Sequence, residues 1–199
     1  MDLSCCKDCC SKCFCSGGSP VRAALFRIKH GLVTSHCKPY NDNVNETACK
    51  EECANDTLNH QDNKHFGENM YLVLADDLEI WRLNWFFELI VNLIRDHSLE
   101  SNLRFVRSLK DYKSGVYEHT YGKLIGHHSV QVIGFGVENE VPYWLATNTW
   151  GMMWGETGLF KVKRFQKDLG FEDQMISLFS KRNTYIRFRI QGKKNLVFF

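Results

Sequence analysis

All nine cysteines of this 199-residue chain lie within its first 53 residues. Six crowd together at Cys5, Cys6, Cys9, Cys10, Cys13 and Cys15, and the others are Cys37, Cys49 and Cys53. Thiols at this density belong to chains that fold in an oxidising compartment, where cross-links replace part of a hydrophobic core. Two glycosylation sequons, Asn45-Glu46-Thr47 and Asn55-Asp56-Thr57, share the stretch and point the same way. The first third is therefore expected to be irregular and stapled, with the odd total leaving at least one thiol over. Yet Met1-Asp2-Leu3-Ser4-Cys5 has neither the basic start nor the apolar run of an export signal. That mismatch creates the expectation that the natural sequence begins further upstream.

Along the chain, residues 1–20 end in Cys15-Ser16-Gly17-Gly18-Ser19-Pro20, a loop composition. Val21, Ala24, Leu25 and Ile28 then recur at helical spacing, predicting a helix over Val21–His30 that stops at Gly31. Residues 36–67 are polar and carry three cysteines, which predicts a long surface loop held by cross-links. A second helix is expected over residues 77–95, with Asp76 and Asp77 at its positive end. Arg82, Asn84, Glu88 and Asn92 interrupt its apolar stretch, so it is too polar to span a bilayer. Beyond it, Leu103, Phe105, Val130, Val132, Ile133, Phe135, Val137, Tyr143, Leu145, Leu159, Phe160 and Val162 fall in short runs broken by Gly, Asn and Pro. That texture predicts strands and turns.

Hydrophobic residues make up 44% and charged residues 24%, as in an ordinary globular chain. With 25 basic and 23 acidic residues, the net charge of +2 predicts no nucleic-acid partner and no strong membrane attraction. The charge is uneven. Lys181, Arg182, Arg187, Arg189, Lys193 and Lys194 lie in an acid-free tail, so residues 1–176 hold 19 cations against 23 acids. The tail reads as a solvated end or an extra edge strand.

The chemically informative stretch is His127-His128-Ser129-Val130-Gln131-Val132-Ile133-Gly134-Phe135-Gly136. It is followed by Tyr143-Trp144-Leu145-Ala146-Thr147-Asn148-Thr149-Trp150-Gly151 and Trp154-Gly155-Glu156-Thr157-Gly158. A hairpin around Glu138–Pro142 would bring His128, at the mouth of one strand, to Asn148, at the end of the next. The Asn carbonyl could then fix the imidazole's tautomer and aim its other nitrogen outward, the orienting half of a Cys-His-Asn triad.

These motifs, together with Lys113-Ser114-Gly115-Val116-Tyr117, Gly170-Phe171-Glu172-Asp173, the pair Cys5-Cys6 and Cys15 to Pro20, closely resemble papain-family cysteine peptidases of the cathepsin B branch. Gly31-Leu32-Val33-Thr34 and Cys37-Lys38-Pro39-Tyr40 continue in register. The resemblance covers about residues 2–70 and 97–176. It implies an incomplete α+β papain-like fold: a disulfide-rich remnant of the helical half over 1–66, a β-barrel-like half over 67–176, and a basic extension over 177–199. It implies His128 as general base and acid, Asn148 as orienter and Trp150 as the cover over their contact. Gly17 and Gly18 would form a wall for an extended substrate, with His127 beside the base and Gln174 at the floor of a specificity pocket. Implied disulfides are Cys5 with Cys49, Cys37 with Cys53, and Cys6 with Cys9 or Cys10, and Asn45 and Asn55 are the glycosylation candidates. The expected partners are peptide or protein substrates and cystatin-like inhibitors, the expected state is a monomer without cofactor or metal, and the expected location is lysosomal or secreted.

The sequence departs from the family in several places. No Cys-Gly-(Ser or Ala)-Cys-(Trp or Tyr) run occurs, so the nucleophile is expected upstream of Met1, and the chain by itself is expected to be inactive and poorly packed. The Cys37–Cys53 region is short and lacks paired histidines, which implies endopeptidase action. Trp81–Ile94 is more apolar than the family's shorter helix there. Two other readings stay open: a non-catalytic homologue that binds peptides or inhibitors, and a zinc site built from Cys5, Cys9 and Cys13 or from Cys6 and Cys10 at four-residue spacing.

Overall fold

The computed structural model describes residues 3, 6, 9, 17–39, 50–74, 98–180 and 196–198. The expected helix over 77–95 and the pairing of Cys5 with Cys49 lie outside these residues. The chain divides into two compact units, Met1–Met70 with Leu178–Phe188, and Tyr71–Ser177 with Arg189–Phe199.

In the first unit, α1 spans Pro20–His30. Its start follows from sequence: Ser19 caps it, with the Oγ accepting from the Arg22 N–H at 3.4 Å, and Pro20 takes the first turn, where a missing N–H costs nothing. Gly31 closes it at φ 72°, donating to the Arg27 carbonyl at 3.0 Å. The short strands β1 (Leu32–Val33) and β2 (Lys64–His65) pair antiparallel. Ile28 of α1 packs at Gly67, the first residue of β3 (Gly67–Leu74), where an added Cβ would lie 3.0 Å from it and 3.2 Å from Leu178. Disulfides join Cys6 to Cys9 and Cys37 to Cys53. The polar stretch expected as loop from residue 36 is indeed turns over 50–63, but β2 interrupts its end and His60 is buried within it. Two isolated strand residues between polar neighbours carry too little periodicity to be read in advance.

The second unit is built on strands. They are β4 (Ser98–Val106), β5 (Val116–Tyr117), β6 (Leu124–Glu138), β7 (Val141–Thr147), β8 (Leu159–Lys163), β9 (Gln174–Ser180) and β10 (Leu196–Phe198). The order across the sheet is β10-β3-β9-β4-β6-β7-β8-β5. β4–β6, β6–β7 and β7–β8 are antiparallel, and β5 lies parallel to β8. Strand β9 continues past residue 176, and β10 pairs antiparallel with Tyr71–Val73.

Alternation decides which side chains meet. Leu99, Ser101 and Leu103 of β4 face the core with Val130 and Val132 of β6, while Arg104 and His127 are a cross-strand pair on the other face. Trp144, Ala146, Phe160, Val162, Leu169, Phe171 and Met175 complete a core exposed by 2% or less. The β6–β7 turn is tighter than the Glu138–Pro142 span read from sequence. Only Asn139 and Glu140 leave the ladder, both at positive φ (49° and 65°), the backbone that matches the natural twist of a two-residue hairpin.

One ionic cluster braces the loop that follows β7. Lys161 Nζ lies 2.7 Å from Glu138 Oε2 and 3.2 Å from Glu156 Oε2. The Gly115 N–H donates to Glu156 Oε1 at 2.8 Å, and Tyr112 Oη donates to the Gly115 carbonyl at 2.6 Å. Hydrogen bonding to Glu138 raises the Lys161 pKa. Burial opposes ionisation of Glu156, but the Gly115 N–H and the Lys161 ammonium outweigh it and hold the carboxyl below its ordinary value. Burial also pushes the Tyr112 hydroxyl up to about 12.

Candidate active site

His128 stands on the core-facing side of β6, opposite Leu103 of β4, and Asn148 is the residue immediately after β7. Joined by the tight hairpin, the two strands bring His128 Nε2 to 2.9 Å from Asn148 Oδ1. The same oxygen accepts the Thr149 N–H at 2.7 Å. Two donors converging on one atom fix the carboxamide's orientation, because its NH₂ end could not accept either of them. Nε2 is therefore the donor in this contact, and in the neutral ring Nδ1 carries the lone pair. An imidazole fixed in this tautomer can take a proton at Nδ1 and return it. Asn148 is itself anchored, its N–H donating to the Gly158 carbonyl at 2.8 Å.

Aromatic rings surround the pair. Trp150 stacks on His128 with centroids 5.2 Å apart and planes 20° apart. Phe105 of β4 lies 5.9 Å from the imidazole and 5.2 Å from Trp150. Trp154 meets Trp150 edge-on at 4.8 Å and is fixed by its indole N–H, which donates to the Lys110 carbonyl at 3.0 Å. The His–Asn hydrogen bond is part-buried among these rings, and surroundings of low dielectric strengthen such a bond. Sequence reasoning singled out Trp150 but passed over Phe105 and Trp154. Their signals were the Trp-x-x-x-Trp spacing after Asn148 and the last inward position of β4.

The other candidates are distributed as follows. His127 is exposed and, one residue along an extended strand, points to the opposite face from His128. Gln174 opens β9 half-buried. Gly17 and Gly18 are exposed residues of the first unit, and Gly17 has φ 75° with open space where a Cβ would stand. Asn55 is exposed, its Oδ1 accepting the Thr57 N–H at 3.0 Å and hydroxyl at 2.8 Å. Asn45 lies outside the described residues. The Cys6–Cys9 bond removes both sulfurs from the zinc reading; Cys5, Cys10 and Cys13 are outside the described residues. Among the described residues no group of three or more His, Cys, Asp or Glu could hold a metal ion, and no helix is long and apolar enough to cross a membrane.

The sequence matches the family model for papain family cysteine protease over residues 2–179. The chain belongs to the papain family of cysteine proteases. A gut-specific cysteine proteinase of Caenorhabditis elegans is 32% identical over 88% of this chain and 55% of its own length. Cathepsin B-like cysteine proteinase 3 of the same animal is also 32% identical, over 92% of this chain and 52% of its own length. Among solved structures, proCathepsin B S9 from Trypanosoma congolense superposes with a TM-score of 0.75 at 28% identity, covering 91% of this chain and 59% of that one. The fold is thus papain-like, mostly sheet with one α-helix among the described residues. The chain spans about half the length of the curated papain-family relatives it matches.

Proposed function

We propose that these residues supply the base-bearing part of a cathepsin B-like cysteine peptidase. In this reading His128 is general base and then general acid, Asn148 holds its tautomer, and Trp150 covers their contact. The observation that carries it is the 2.9 Å contact of Nε2 with an oxygen whose orientation a second donor fixes. The mechanism follows from the free Nδ1. It takes the proton of a thiol, the thiolate attacks the peptide carbonyl, and the imidazolium then protonates the leaving amine. Gly17 and Gly18 serve as backbone wall for an extended peptide, and Gln174 as part of a side-chain pocket. His127 receives no part in the chemistry, since it faces away from the base.

Substrates are peptides or proteins, cleaved internally, and cystatin-like proteins are the expected inhibitors. Cys5 and Cys49 are the remaining expected disulfide, and Asn45 and Asn55 carry glycans on an oxidising, lysosomal or secreted route. No Cys-Gly-(Ser or Ala)-Cys-(Trp or Tyr) run stands in the 199 residues, so they hydrolyse nothing by themselves. Fusing the nucleophile-bearing segment of a relative ahead of residue 1 should restore hydrolysis of a fluorogenic peptide. His128→Ala should then lower the rate by about 10²–10⁴-fold. An active fusion that His128→Ala leaves within tenfold of its parent overturns the assignment.

A further inference from the structure

Phe105, Trp150 and the imidazole of His128 border a place left open by Gly126. That glycine is the cross-strand partner of Phe105 and lies two residues before His128 on the same face. A Cβ at Gly126 would meet nothing within 4 Å. On the margin of this place Lys110, at the end of the 3-10 turn Arg107–Asp111, holds its ammonium 5.6 Å from the centre of the Phe105 ring. The side chain is exposed and pairs with no carboxylate among the described residues.

Other carboxylates of this unit are paired with cations of their own. Glu138 and Glu156 hold Lys161, Glu118 holds Lys163, and Asp173 holds Arg104. Asp111 follows Lys110 but sits about 120° round a helix of three residues per turn. A cation with no carboxylate partner among the described residues therefore stands against an aromatic patch that touches the imidazole.

We propose that Lys110 is a specificity-determining residue, selecting a carboxylate on the peptide that lies over Gly126 against Phe105 and Trp150. The inference rests on the reading of His128 given above. The rings take the apolar stem of the bound residue and the ammonium takes its charge, so the complementary group is the side chain of Glu or Asp or a peptide's own C-terminal carboxylate. Exposed pairs of this kind are weak, and the expected discrimination is about three- to fivefold.

The test titrates the tryptophan fluorescence of the 199-residue chain with otherwise identical hexapeptides. One pair differs by Glu against Gln at a central position with both ends capped. The other differs by a free against an amidated C-terminus. In about 0.05 M salt one pair should show a three- to fivefold preference for the carboxylate, shrinking below twofold at about 0.5 M. The pair that responds tells side chain from C-terminus. Lys110→Met should bring that ratio to one and Lys110→Glu should invert it. Ratios of one in both pairs, or a ratio that survives Lys110→Met, overturn the proposal while leaving the His128 reading intact. Absence of binding by every peptide overturns both.

Discussion

Glu172 is a carboxyl group placed where carboxyl groups seldom go. It is 5% exposed, accepts the Trp144 indole N–H at 2.8 Å and the Phe165 N–H at 3.0 Å, and has Arg164 stretched over the rings of Trp144 and Phe165. Burial pushes its pKa up from 4.5, and these donors and the guanidinium pull back without cancelling the effect. The folded chain then holds the Glu172 proton more tightly than the unfolded chain. Its contribution is intact below pH 4.5 and is lost as pH climbs from there through the raised folded value. A glutamine offers one acceptor oxygen in place of two and sets an NH₂ where Oε2 now accepts the Phe165 N–H, so Glu172→Gln carries a fixed penalty, but it carries no charge to desolvate. The difference in Tm between Glu172→Gln and the parent should therefore move in favour of glutamine as pH rises from acid to neutral. A difference that stays constant, or moves the other way, would show that the group ionises as easily folded as unfolded.

The hairpin of β6 and β7 positions both residues of the candidate site, and its turn is not optimal. Asn139 tolerates a left-handed backbone because its short side chain bonds locally, whereas Glu140 at φ 65° has no such compensation. Glu140→Gly should stabilise the second unit by about 1 kcal/mol, or roughly 2–4 °C in Tm for a chain of this size. Glu140→Pro, which fixes φ near −65°, should destabilise it; if the glycine variant melts below the parent, the strain argument fails. This turn also shows what sequence can convey. Val141 to Thr147 and Val130 to Val137 advertise strands as short apolar runs broken by Gly, Asn and Pro, and the polar span around Glu138–Pro142 marks their junction, so the sequence alone brings His128 to Asn148. The helix was equally legible through the spacing of Val21, Ala24, Leu25 and Ile28 and the stop at Gly31, although Pro20, read as the end of the loop, is its first residue. What stayed hidden depends on partners distant in sequence. Leu124 to Ser129 belong to β6 because β4 pairs with them, not because they alternate, and Glu172 gives no local sign of reaching Trp144. Lys110 reads as a solvated cation until Phe105 is seen beneath it.

Covalent constraint is distributed over the molecule as unevenly as the cysteines are. Every cysteine precedes residue 54, so every disulfide the chain can form lies in the first unit. The second unit is held by a continuous antiparallel ladder and a core of Leu99, Leu103, Trp144, Phe160 and Phe171. Cys37–Cys53 closes a loop with a separation of 16 residues, which by chain entropy stabilises that region by about 3 kcal/mol. Around it the described residues offer little else. The stretch from Lys50 to Asn63 is turns, with buried apolar side chains replaced by Asx bonds such as Asn59 to Gln61. Reduction should therefore act on one unit alone. Hydrogen exchange followed by mass spectrometry, with and without dithiothreitol, should show protection falling over residues 31–39 and 50–66 by about two orders of magnitude, the exchange equivalent of those 3 kcal/mol. Residues 124–147 and 159–163 should exchange at the same rate in both conditions, because no bond that the reductant breaks restrains them. If protection of the β6–β7 ladder falls in step with the disulfide loop, the two units share their stability, and the assignment of covalent support to one of them is wrong.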